Sequence, residues 1–204
     1  MIITKLEEFH KNKLKVYLDE EYAFPVSISD EKNIGLEEGM EISEETLAKL
    51  LLVIVFPNAK QKAISLLKFM DRTEKELKYR LSLELYPEDI IEKAIAYAKE
   101  YGFINDERYA ESYIRSRREK KSKMVIKNEL LMKGINKEII DNIFLSEYQS
   151  EEEDPEMIAI RKAIDKKVGD VSSLTREEKQ KLIAYLYRKG FQMDKIRASN
   201  SCLF

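Results

Sequence analysis

Tryptophan is absent from this chain of 204 residues, and histidine and cysteine occur once each, as His10 and Cys202. A single cysteine excludes an internal disulfide and leaves no zinc-type spacing. Its place third from the end is one position too late for prenylation. His10 falls in a polar turn between two strand patterns and reads as a turn residue rather than a general base. Neither a Gly-rich phosphate loop nor a nucleophile elbow occurs, and carboxylates are too abundant for any chosen pair to mark acid–base chemistry. No enzyme and no cofactor are expected. With only four prolines and six glycines against 36% charged and 44% hydrophobic residues, the composition suits an ordered, helix-rich chain. No basic-then-apolar leader opens it, and no uninterrupted apolar run reaches the roughly 18 residues that span a bilayer. A cytoplasmic protein without membrane partners is expected.

The net charge is −2, yet the two signs are segregated. Asp19–Glu45 is dominated by acids, with Lys32 as its one base. Glu111–Glu138 and the stretch from Arg161 to Arg197 are rich in lysine and arginine. An acidic half and a basic half point to a polyanionic partner on the basic side; plain solvated helix faces would give the same runs.

The first 28 residues read as strands: Leu14, Val16 and Leu18 alternate with polar positions, as do Tyr22, Phe24 and Val26 after a turn at Asp19–Glu21. Gly35 and Gly39 bracket a turn, and Ser43 caps a helix with an acidic first turn. Leu50–Phe56 is continuously apolar, as core segments most often are, and periodicity does not decide between helix and strand there; Pro57 ends the run and suits the first turn of a following helix. If exposed, that run is an association or aggregation surface.

From Ala63 onward one phrase recurs. Leu77, Leu81, Tyr86 and Ile91 recur 49 residues later as Ile126, Leu130, Ile135 and Ile140, and these recur after a further 56 as Leu182, Leu186, Phe191 and Ile196. Gly134 and Gly190 sit at matching places and are expected to adopt the left-handed conformation that closes a helix. One helical unit used three times explains the register; three unrelated amphipathic helices are the alternative. Thr73–Glu76 forms a capping-box pattern, and Pro87 suits a helix start. The acids of Ser146–Glu156 read as a repelling linker or a solvated first turn, and Val168–Ser173 as a loop. The tail after Ile196 has no pattern.

These residues resemble the bacterial RecX regulatory proteins. Ala63–Leu77 is similar to the family's opening motif, and Gly102–Asp106 with Tyr109, Ala110 and Tyr113 to its second. Glu129-Leu130 with Lys133–Ile135 resembles the third, and Arg188–Phe191 the last. Lys121-Ser122-Lys123 departs from the glycine often found before the middle repeat's second helix, and Leu50–Phe56 is more apolar than is usual there. The resemblance implies tandem three-helix repeats in an elongated, curved, mainly α array, preceded by a small N-terminal β-hairpin unit. It also implies binding to RecA recombinase filaments on single-stranded DNA, restraining strand exchange and ATP hydrolysis. The expected divisions are 1–57, 58–104, 105–150 and 151–204, in a monomer.

Candidate contact residues are Arg115, Arg117, Arg118, Lys120, Lys121, Lys123 and Lys127 in the middle repeat, and Arg161, Lys162, Arg188 and Lys189 in the last. Arg117, Lys120 and Lys121 are expected on one face. A stand-alone DNA-binding protein is the competing expectation. Against it, Tyr109, Tyr113, Tyr185 and Tyr187 fall mostly at core spacing rather than forming aromatic platforms among the bases.

Overall fold

The computed structural model describes residues 1–10, 12–149 and 153–199. Cys202 and the rest of the tail lie outside them, as do three positions of the acidic linker. The chain divides into two compact units, Met1–Asn105 and Asp106–Phe204.

The first unit opens with a three-stranded antiparallel sheet, β1 (Ile3–Phe9), β2 (Lys13–Leu18) and β3 (Glu21–Ser27), ordered β1-β2-β3. Ile3, Leu14, Val16, Leu18, Phe24 and Val26 are its buried members. Asp19 and Glu20 both take positive φ in the two-residue turn between β2 and β3, the handedness that matches the twist of a tight hairpin. His10 also sits in a turn with positive φ. The strand reading runs one residue too far. Ser27 accepts a hydrogen bond from the Asp30 amide at 3.0 Å and starts α1 (Ile28–Ile34), which Gly35 ends in the left-handed conformation.

Ser43 caps α2 (Glu44–Leu50) as expected. Leu50–Phe56 is helical: Leu51–Val55 forms a π turn that joins α2 directly to α3 (Phe56–Phe69). Pro57 falls in the first turn of α3, as expected, and the run before it is already helical. Proline lacks an N–H and crowds the preceding turn; the wider π turn absorbs that defect, with the Phe56 amide reaching back five residues to the Leu51 carbonyl. The continuous helix Glu44–Phe69 is long and apolar enough to cross a membrane by length and composition alone. Here Leu50, Val55, Ala59 and Ala63 are buried in the core shared with the sheet, while Leu52 and Val53 are 60% and 63% exposed.

Three three-helix units follow one after another: α3 with α4 (Glu74–Ser82) and α5 (Glu88–Glu100); α6 (Asp106–Arg117), α7 (Lys123–Met132) and α8 (Lys137–Gln149); α9 (Pro155–Lys167), α10 (Arg176–Arg188) and α11 (Met193–Ser199). The recurring apolar positions are buried in every copy. The middle helix of each copy also ends alike. Tyr86, Ile135 and Phe191 donate their amides to the carbonyls of Leu81, Leu130 and Leu186, and the residue before each is left-handed: Leu85 (φ 64°), Gly134 (φ 88°) and Gly190 (φ 84°). This is a Schellman ending, with its apolar contact between the last residue and the helix. The first copy builds it without glycine. The sheet and α3 brace that corner: the Tyr22 hydroxyl donates to the Leu85 carbonyl, and Glu84 is paired with Lys13 of β2 and Lys62 of α3, each at 2.6 Å.

Thr73 forms the expected capping box with Glu76, and Thr175 forms a second one with Glu178.

Candidate interaction surface

The basic stretch after α6 is not one helical face. The helix ends at Arg117, Lys120 and Lys121 turn back on the Arg117 carbonyl at 2.8 and 3.0 Å, and Ser122 is extended. The Ser122 hydroxyl accepts the Val125 amide and so caps α7. Arg117 stacks on Tyr113, away from Lys120 and Lys121, which both line one groove, so the expectation that all three share a helical face is corrected for Arg117.

Several candidate cations are committed within the fold. Arg115 and Arg118 both grip Glu147 of α8, at 2.6 and 2.9 Å, and Arg118 also donates to the Glu147 carbonyl at 2.9 Å. The Arg115 guanidinium holds the Glu147 carboxyl below the usual carboxylate range, with Arg118 adding to it. Arg118, whose side chain is 13% exposed, acts as a clamp between α6 and α8. Lys127 pairs with Asp141 and Arg161 with Glu153. The Lys123 ammonium lies over the rings of Phe144 and Tyr148, at 5.0 and 5.4 Å. The acids of 146–156 are thus not simply a repelling linker: Glu147 is a clamp, Asp154 caps α9, and Glu156 is buried.

Arg117 belongs to an aromatic cluster. Its guanidinium stacks 3.7 Å from the Tyr113 ring, Tyr113 stacks on Tyr109 with centroids 6.0 Å apart, and Lys133 lies over both rings. The Tyr113 hydroxyl donates to Glu129 at 2.9 Å, and Lys121 pairs with that same carboxylate. Tyr109 and Tyr113 are half-buried, and Tyr187 is exposed. Tyr109, Tyr113 and Tyr185 pack against the core clusters, as their spacing implied, and only Tyr187 of the four is exposed. Helical spacing marks the seam between apolar body and surface as readily as the core itself.

Where the second and third repeats meet, buried polar groups bond across the junction. The buried Ser122 hydroxyl donates to the Lys189 carbonyl at 3.0 Å. A Cβ added at Gly190 would lie 2.6 Å from that same hydroxyl oxygen, so glycine lets the two repeats approach. Glu156, 5% exposed, accepts the Lys123 amide at 3.0 Å at the start of α7. Burial pushes its carboxyl above the ordinary value, against the opposing pull of Lys123.

Beside this junction lies a groove of about 500 Å³. Lys120, Lys121, Lys162, Lys166, Arg188 and Lys189 line it, over Val125, Ala159, Ala163 and Phe191. Lys121 is shared with Glu129, Lys162 pairs with Glu119, and Lys189 lies 5.5 Å from the Tyr185 ring. Of the candidates, the groove thus brings together Lys120, Lys121, Lys162, Arg188 and Lys189. It leaves out Arg115, Arg117, Arg118, Lys123, Lys127 and Arg161. Lys166 was missed as a candidate; its spacing of four from Lys162 on α9 was the available signal.

Comparison with known proteins fits this architecture. Family profiles described as the first, second and third three-helix domains of RecX match residues 59–97, 105–142 and 154–198. The chain is 35% identical over 198 residues to the regulatory protein RecX of Caldanaerobacter subterraneus subsp. tengcongensis, covering 96% of each. It is 34% identical to that of Clostridium acetobutylicum over 95% of this chain and 92% of the relative. A crystal structure of regulatory protein RecX superposes with a TM-score of 0.63 at 25% identity, covering 97% of this chain and 98% of the other. RecX from Lactobacillus salivarius superposes at 0.59 with 26% identity, covering 72% of this chain and 96% of that one. The three-helix repeats, their order and these relatives together establish that the chain belongs to the RecX family of regulatory proteins.

Proposed function

We propose that this chain docks on RecA recombinase filaments assembled on single-stranded DNA and restrains them, lowering strand exchange and ATP hydrolysis in recombination and repair. The observation that carries the reading is the match of all three repeats to RecX domains. The cation-rimmed surface of the last two repeats supports it chemically, because a filament presents phosphate and acidic protein to a docking partner. Lys120, Arg188 and Lys189 are the contact residues in this reading, acting from a cytoplasmic monomer that performs no chemistry of its own. Stand-alone DNA binding is the second reading. Its support is the half-buried Tyr109–Tyr113 stack among basic residues, which suits single strands once Arg117 and Lys133 leave the ring faces they now cover.

The deciding experiment is co-sedimentation with cognate recombinase filaments on single-stranded DNA, against the same DNA alone. The filament reading expects retention on filaments at salt that releases the chain from bare DNA, with a fall in the recombinase ATPase rate. Equal retention on both moves the assignment to plain DNA binding.

A further inference from the structure

The groove between the second and third repeats combines two features that single out one kind of occupant. Its rim is cationic, through Lys120, Lys166 and Arg188, all exposed. Its floor is apolar and made of short side chains, Val125, Ala159 and Ala163, with Phe191 behind them. A cationic rim alone would suit any polyanion. The apolar floor adds a requirement that a phosphodiester backbone does not meet, because it would leave the floor covered by charged groups or by water.

A nucleic acid would satisfy that floor only by stacking a base on an aromatic face. The tyrosine of this groove, Tyr185, already carries Lys167 and Lys189, each 5.5 Å from its ring centroid. Glu119, paired with Lys162, also places a carboxylate on the rim, where it would repel a continuous line of phosphates. A protein segment with spaced carboxylates avoids that point and can lower an aliphatic side chain between them.

We infer that this groove receives an acidic protein segment, its carboxylates meeting Lys120, Lys166 and Arg188 and one aliphatic side chain seated over Ala163. The inference rests on the filament-docking reading for its setting, and it assigns this part of the surface to protein rather than DNA. The junction beside the groove preforms it: Ser122 bonded to Lys189, and Glu156 bonded to the Lys123 amide, hold α7 against the third repeat. A preformed groove spares its partner much of the ordering cost of binding.

The test uses the full chain and a fluorescein-labelled peptide of glutamates and aspartates around a single leucine, followed by anisotropy. The expected result is saturable, salt-sensitive binding. It weakens roughly tenfold or more in a chain carrying Lys166→Glu and Arg188→Glu, as reversal of paired rim charges predicts. It also weakens when Ala163→Leu fills the floor without changing charge, and when the peptide's leucine becomes alanine. Circular dichroism verifies that both variants stay helical, and Lys120→Glu, in the loop between helices, repeats the charge test should α9 or α10 unfold. Absence of peptide binding overturns the inference, as does binding indifferent to these changes. Oligo(dT) that displaces the peptide and is weakened by the same charge reversals also overturns it, handing the groove to nucleic acid. Loss of the peptide result with filament co-sedimentation intact removes this inference alone. Failure of the parent chain to sediment with filaments removes the docking reading.

Discussion

The Ser122 hydroxyl donates to the Lys189 carbonyl at 3.0 Å while accepting the Val125 amide, so one buried oxygen caps a helix of the second repeat and anchors the third. Ser122 and Gly190 are coupled by this geometry, since any side chain at 190 meets that oxygen. Gly190→Ala is expected to cost more than Gly169→Ala. Both positions are left-handed, which costs an alanine on the order of 1–2 kcal/mol, but only Gly190 has no space for a Cβ. Ser122→Ala alone removes a cap worth about 0.5–2 kcal/mol. The double variant should be less destabilised than the sum of the two, because removing the oxygen relieves the clash. Denaturant melts of the four proteins check this, and strict additivity would show that the two residues do not communicate.

Leu85 and Gly134 occupy the same left-handed position in successive repeats, at φ 64° and 88°. Gly134→Leu should lose about 1–2 kcal/mol. Leu85→Gly should leave the thermal midpoint close to the parent's, relief of strain offsetting the flexibility gained by the unfolded chain. Thermal melts showing a large loss for Leu85→Gly would mean that its side chain, rather than the bracing by Tyr22 and Lys13, holds the corner.

Two glutamates of the basic unit should respond to pH with opposite sign. Glu147, held low by Arg115 and Arg118, contributes stability that is complete above its ordinary value of 4.5 and lost as pH falls through its lowered folded value. Glu156, pushed up by burial, contributes stability that is complete below 4.5 and lost as pH rises through its raised folded value. Glu147→Gln should therefore flatten the acid limb of the stability profile. Glu156→Gln, which keeps an acceptor for the Lys123 amide, should gain on the parent as pH rises above 4.5. Urea midpoints across the acidic range, with both variants parallel to the parent, would refute the assignment.

The candidate cations should separate into two classes. Arg118→Ala should lower the melting temperature, because its guanidinium clamps α6 to α8 through Glu147. Lys120→Ala with Arg188→Ala should change stability by no more than about 0.5 kcal/mol for each site. The same pair should weaken filament binding and reduce its salt dependence, as fewer screened contacts remain. Melting curves and co-sedimentation at several salt concentrations distinguish the classes; a stable pair variant with parental binding would return these residues to an ordinary solvated face.

Much of the repeat architecture was legible in the sequence because its cause is local. Apolar residues 49 and 56 positions apart mark equivalent positions of the same three-helix unit, and all of them are buried. Gly134, Gly190, Thr73 and Ser43 announced their caps because backbone conformation and nearby amides set those preferences within a few residues. Leu85 escaped notice for a complementary reason: its left-handed conformation is secured by Tyr22 and by Lys13 acting through Glu84, which the chain delivers from far away. The π turn at Leu51–Val55 was hidden likewise, since an unbroken apolar run has no period and a proline at a helix start does not reveal that the chain before it is already helical. The basic residues were visible as a list, but their partners were not. Whether a lysine is spent on Asp141, on a tyrosine ring or on the rim of a groove depends on which helices pack together. Composition counts charges; only tertiary packing decides which of them remain turned toward a partner.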